Sequence, residues 1–81
     1  MRIRWQTATQ REGWSAECDL TPAKARKRFK ELGADGLVGW AELVAEDEDE
    51  GGYMEVIDSF DHSKQAALNL ELKQIAAAIF G

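Results

Sequence analysis

The chain has 81 residues, 44% of them hydrophobic, and a formal net charge of −5. This length and composition predict one small globular domain over residues 1–81 and exclude an intrinsically disordered acidic tail. No apolar run approaches the roughly 18 residues of a membrane-spanning helix, and the first residues lack the apolar core of a signal peptide. The single cysteine cannot form an internal disulfide, so we expect a cytoplasmic protein that does not contact membranes.

The charge is divided unevenly along the chain. Residues 1–34 hold eight Lys or Arg and four Asp or Glu, whereas residues 35–81 hold two Lys or Arg and eleven Asp or Glu. Such an asymmetry bears on the choice of partner and on association rates rather than on the fold.

Two strands are predicted first. Residues 2–8 alternate, with Ile3 and Trp5 on one side, which indicates a half-buried strand. A polar turn ends at Gly13, and a second alternating segment follows it. The residues expected to point inward from this second strand are Trp14, Ala16, Cys18 and Leu20.

A helix is predicted next, because Thr21 suits the N-cap and Pro22 the first helical position. Gly33 is expected to end the helix in the left-handed conformation. The helix has one narrow apolar stripe, consisting of Pro22, Ala25, Phe29 and Leu32.

The rest of this helix forms a basic face, which consists of Lys24, Arg26, Lys27, Arg28 and Lys30. It is interpreted as a solvated outer surface, with contact to nucleic-acid phosphates as the alternative.

A hairpin is predicted from residues 37–45 and 53–60, two apolar runs that flank the acidic tract 46–50 and its closing Gly51-Gly52. Both strands carry apolar residues on both faces, so we expect them to be central or covered. Residues 41–50 also include good helix formers, which leaves a helix as the alternative there.

The last helix is predicted to start near Asp61 or Ser63, either of which can cap it, and to run to Phe80. Its main apolar stripe, expected to pack in the core, consists of Leu68, Leu72, Ile75, Ala76 and Ile79. Three further apolar residues lie off this stripe, namely Leu70, Ala77 and Phe80. An apolar surface this wide indicates either a deeply buried helix or a subunit interface.

The predicted element order is therefore ββαββα, a two-layer α+β sandwich. The simplest packing that buries both helical stripes is a four-stranded antiparallel sheet with both helices on one face.

The remaining distinctive residues are given structural roles. Trp5, Trp14 and Trp40 are expected in the core, Cys18 as a buried inert thiol and His62 at the surface. The acidic tract departs from a calcium-binding loop, so no metal and no cofactor are expected. One cysteine and one histidine on different elements offer no catalytic pair, so an enzyme is not expected.

The preferred functional hypothesis is a small acidic protein-binding module that presents its hairpin to a basic site on a nucleic-acid-handling protein and so inhibits or regulates it. The acidic face proposed for this role consists of Glu42, Glu46, Asp47, Glu48, Asp49, Glu50, Glu55 and Asp58. The alternatives are a dimeric or oligomeric accessory protein that assembles through Leu70, Ala77 and Phe80, and a nucleic-acid binder that uses the basic face. The acidic tract is also compatible with a purely solubilising role.

Overall fold

The computed structural model describes residues 1–47 and 53–80, which form four β-strands and two α-helices. In chain order these elements are β1 (Arg2–Thr7), β2 (Ser15–Glu17), α1 (Pro22–Ala34), β3 (Val38–Asp47), β4 (Tyr53–Asp61) and α2 (Ser63–Phe80). The four strands form one antiparallel sheet in the order β2-β1-β3-β4. The prediction of an α+β domain with a four-stranded antiparallel sheet and two helices is confirmed.

The β3–β4 hairpin pairs from Trp40 opposite Asp61 to Asp47 opposite Tyr53. The sequence left residues 41–50 open between strand and helix. Residues 41–47 are strand, and residues 48–50 lie outside the described part of the chain. The pairing shifts between Leu43 and Val44, which leaves Ile57 as an extra residue in β4 and makes a β-bulge.

One face of the sheet carries the main core. Ile3 lies opposite Leu43 in the pairing of β1 with β3, and both side chains are buried. Buried Ala25 and Leu32 of α1 belong to the same cluster, and Phe29 packs against it. Three of the four residues of the predicted α1 stripe therefore face the sheet, whereas Pro22 is exposed. Thr21 caps the helix by accepting a hydrogen bond from the Lys24 N–H at 3.3 Å.

The end of α1 differs from the prediction. The helix continues through Gly33 to Ala34. Gly33 does not adopt the left-handed conformation, since Gly13 is the one glycine of the described residues with a positive φ. A Cβ built on Gly33 would lie 3.7 Å from Phe60 Cε1, an ordinary contact. The helix ends instead where Asp35 adopts an extended conformation and donates its N–H to the Leu32 carbonyl.

The inward and outward residues of β2 are reversed relative to the prediction. Ala16 lies opposite Arg4, whereas Glu17 lies opposite the buried Ile3. Residues opposite one another in a sheet share a face, so Glu17 faces the α1 side and Ala16 the other side. The pairing with β1 determines which residues of this short edge strand face α1. The alternation in the sequence does not determine this pairing.

Two other core assignments in this segment are wrong. Trp14 precedes β2 and is 58% exposed, and Cys18 follows it and is also exposed. Trp5 packs against the core, while Trp40 is half-buried and donates its indole N–H to Gln6 Oε1 at 3.1 Å.

The prediction that β4 is central or covered is wrong. It forms an edge of the sheet, and Met54, Val56 and Ile57 are each more than two-fifths exposed. β3 does occupy a central position, because it pairs with β1 on one side and β4 on the other.

In the described part of the chain, the buried and half-buried residues of α2 all lie in its first turns. Ala66 is buried, Asn69 and Leu70 are half-buried, and residues 71–80 are all exposed. The radius of gyration is 15.1 Å, against about 12 Å for a compact chain of this length, and the longest dimension is 54 Å. α2 therefore projects from the domain.

The prediction that the main stripe of α2 packs in the core is wrong. Its large residues are exposed: Leu68 by 48%, Leu72 by 55%, Ile75 by 48% and Ile79 by 68%. At 3.6 residues per turn, their centre lies roughly 140° around the helix axis from the face that contains Ala66, Asn69 and Leu70. The apolar periodicity indicated a helix but did not indicate which side meets the sheet.

Candidate protein-interaction surfaces

The acidic residues of the hairpin are divided between the two faces of the sheet. Glu42 lies opposite Arg4, and the two side chains form an ion pair with 2.8 Å between Arg4 Nη2 and Glu42 Oε2. Asp58 lies opposite the buried Leu43, and hence on the face that α1 covers. Glu42 is thus partly neutralised and lies on the face opposite Asp58.

Three other acidic residues, Glu46, Asp47 and Glu55, lie toward the far end of the described hairpin. Glu55 pairs with Ala45 and is exposed. Glu46 and Asp47 are the last two residues of β3. The rest of the predicted tract, Glu48, Asp49 and Glu50, lies outside the described residues.

The outer edge of β4 combines acidic and apolar side chains. Glu55 and Asp58 are exposed, and within residues 1–47 and 53–80 no salt bridge joins either one to a Lys or Arg. Met54 precedes Glu55 along the strand, and Val56 and Ile57 lie between Glu55 and Asp58. No further strand pairs with β4 in the described part of the chain, so its backbone edge is open to a partner.

One of the five residues of the basic face of α1, Arg28, makes contacts within the domain. Arg28 Nε lies 3.4 Å from Glu17 Oε2, and Arg28 Nη1 lies 3.5 Å from Glu31 Oε2. The guanidinium also lies over the Trp5 ring. The other four members, Lys24, Arg26, Lys27 and Lys30, are exposed.

The contacts of Arg28 were missed in the sequence. The alternation of β2 predicts Glu17 on the face opposite to the one where it lies, which separates it from Arg28. A correct phase would have put an acid, an aromatic ring and a cation on one side of the sheet.

The junction of β4 and α2 is held by a local cap. Asp61 Oδ1 accepts a hydrogen bond from the Ser63 N–H at 2.9 Å, and the His62 ring stacks on Phe60 with 4.6 Å between centroids. The Ser63 hydroxyl, then its N–H, and then the charge of His62 lower the pKa of Asp61 below its ordinary value of 3.8. These contacts stabilise the start of α2.

The described residues form neither a candidate metal site nor a membrane-spanning helix. Among the described residues, no three His, Cys, Asp or Glu side chains are grouped so that they could hold a metal ion. In the same part of the chain, neither helix has the length and hydropathy needed to cross a bilayer.

The residues proposed for oligomer assembly occupy different surroundings. Leu70 is half-buried on the side of α2 that meets the domain, whereas Ala77 and Phe80 are exposed on the projecting part. Phe80 is 88% exposed.

Comparison with known proteins adds no relative, since no protein-family model, curated protein or solved structure matches the chain.

Proposed function

We propose that this protein is a binding module that inhibits or regulates a nucleic-acid-handling protein by presenting its acidic hairpin to a basic site on that partner. The observation that carries the proposal is the open β4 edge, where exposed Glu55 and Asp58 are close to exposed apolar side chains in the same strand. Charge of this sign steers association with a basic surface, and the apolar side chains supply contact area once the two proteins meet.

The acidic tract extends the same charge. In the sequence, residues 46–50 add five carboxylates, and Gly51-Gly52 separate them from β4. A basic site that binds nucleic-acid phosphates would also attract this tract, because the phosphates and the carboxylates are both closely spaced anions. Glu42 contributes less to the proposed surface than the tract, because Arg4 already neutralises it.

The test is affinity capture from the native host followed by binding measurements with the recovered partner. The hairpin variant carries Glu55→Gln and Asp58→Asn, which remove two charges and keep the side-chain shapes. The matched control carries Glu12→Gln and Asp19→Asn, which remove two charges from the region around β2. Asparagine suits the position of Asp19, whose φ is +58°.

The hairpin variant should bind the partner about ten-fold more slowly at low salt, and the deficit should shrink as the salt concentration rises. The control should bind like the parent protein, and excess DNA or RNA should compete with the complex. Equal binding by the hairpin variant and the parent at every salt concentration would refute the role of the acidic edge. A partner that nucleic acid does not compete with would refute the proposed mode of inhibition.

A further inference from the structure

The far side of α2 carries a continuous apolar stripe, which consists of Leu68, Leu72, Ile75 and Ile79 and is called here the α2 stripe. These four residues are exposed by 48–68%. Together with Phe80, exposed by 88%, they account for five of the large exposed hydrophobic residues in the described part of the chain. An apolar patch of this extent on a small protein marks an interaction surface.

The α2 stripe cannot reach the core of its own domain without breaking the anchor of the helix. Ala66 is buried against the domain, and Asn69 Nδ2 donates a hydrogen bond to the Gly36 carbonyl at 2.8 Å. The Ala66 N–H is bonded to the His62 carbonyl, which continues the helix back to its start. Turning the stripe inward would remove Ala66 from the core and leave the Gly36 carbonyl without this partner.

We propose that the α2 stripe is covered by the α2 stripe of a second copy of this chain, with the two helices antiparallel about a two-fold axis. The stripe residues are separated by four, three and four positions, a spacing that is the same read in either direction. An antiparallel copy therefore sets Leu68 opposite Ile79 and Leu72 opposite Ile75. The alternation of four and three is also the spacing of a coiled-coil seam.

The seam of an antiparallel pair carries no charge. Residues 74–80 have no charged side chain, and in an antiparallel pair they lie over residues 67–73 of the other copy. Glu71 then lies opposite Ala76, and Lys73, roughly 130° around the helix axis from the stripe, lies outside the contact.

The available area suits a weak dimer. Each of the four large apolar side chains of the α2 stripe offers roughly 100 Å² of surface, so each copy contributes on the order of 400 Å². The pair would bury about 800 Å², below the roughly 1,200 Å² at which standard interfaces begin, so we expect a reversible dimer of moderate affinity.

A lipid surface fits α2 less well than a second copy does. Helices that lie on membranes carry several Lys or Arg on their polar face, whereas α2 has Lys64 and Lys73. The net charge of −5 would also repel anionic lipids.

The first test is the mass of the protein in solution, measured by sedimentation equilibrium in reducing buffer because Cys18 is exposed. At about 100 µM chain, well above a micromolar dissociation constant, the parent should have twice the chain mass of 9.0 kDa. Ile75→Glu should shift it to the monomer mass, while the matched control Gln74→Glu, one position off the stripe, should remain dimeric.

Circular dichroism keeps this test interpretable, since Ile75 is half exposed and the variant monomer should retain its fold. A monomeric parent would overturn the proposal, and so would equal dissociation by both variants. Flotation of the parent with phosphatidylcholine vesicles, lost in Ile75→Glu, would assign the stripe to lipid and also overturn it.

The second test determines the direction of the helices. With Cys18 replaced by Ser, spin labels are attached to Ala67→Cys or Lys73→Cys, two exposed positions off the stripe. An antiparallel dimer places the two backbones at residue 73 about 10 Å apart and those at residue 67 roughly 20 Å apart along the axis. Short distances at both positions would show a parallel pair and refute the proposed arrangement.

Discussion

The guanidinium carbon of Arg28 lies 5.5 Å from the centroid of the Trp5 ring, and this contact joins α1 to the sheet. The same guanidinium reaches Glu17 on β2 and Glu31 on α1. A cation over an aromatic face with two carboxylates nearby is favourable even when partly exposed. One cation of the basic face therefore serves the fold of the domain.

The first prediction follows from this cluster. Arg28→Ala should lower the free energy of unfolding by about 1 kcal/mol, because it removes a cation–π contact, two weak ion pairs and the packing of the side-chain stem. Urea unfolding would measure the change. Lys27→Ala, at an exposed position beside it, should stay within about 0.5 kcal/mol of the parent. An equal effect of the two substitutions would show that the Arg28 contacts do not stabilise the domain.

The second prediction concerns nucleic acid. Gel shifts with duplex and single-stranded DNA or RNA at about 50 mM salt should show no binding tighter than the micromolar non-specific range, because the molecule is acidic as a whole. A nanomolar complex that is weakened by Arg26→Gln with Lys27→Gln would instead support the basic face of α1 as a nucleic-acid site.

The third prediction contrasts two glycines near α1. Gly33→Ala should stabilise the domain by about 0.5–1 kcal/mol, since Gly33 is helical and its Cβ would make an ordinary contact with Phe60 at 3.7 Å. Gly36→Ala should destabilise it, because a Cβ there would lie 2.9 Å from Asn69 Nδ2 and disturb the hydrogen bond that anchors α2. Thermal or urea unfolding of both variants tests the pair. A destabilised Gly33→Ala would contradict the helical role of this glycine.

The fourth prediction is a pH dependence at the start of α2. The folded pKa of Asp61 is lowered below 3.8, so its charge stabilises the folded state above the unfolded pKa. This contribution is lost as the pH falls through the folded pKa. Melting curves should show Asp61→Asn, which keeps an acceptor oxygen, to be less stable than the parent near neutral pH. The difference should vanish at the acid end, and one that stays constant down to pH about 2 would contradict the charge argument.

The local chemistry of the sequence determined the elements that carry strong independent signals. The start of α1 followed from Thr21 and Pro22, and its buried side followed from the apolar residues Ala25, Phe29 and Leu32, which meet the core. The hairpin followed from two apolar runs around a polar connection, and 41–47 proved to be strand because β1 and β4 pair with β3 on either side. These signals are local, because caps and apolar periodicity act within a few residues.

Tertiary structure decided which partner each apolar face meets. The alternation in β2 was visible, but its pairing put Glu17 on the face of Ile3 and left Trp14 exposed. The stripe of α2 was visible too, yet the anchor at Ala66 and Asn69 turned it away from the sheet. Periodicity specifies that a face is apolar, whereas the surface that covers it depends on the whole chain or on a second one. For this reason the sequence predicted the α+β domain, and the three-dimensional packing alone exposed the α2 stripe.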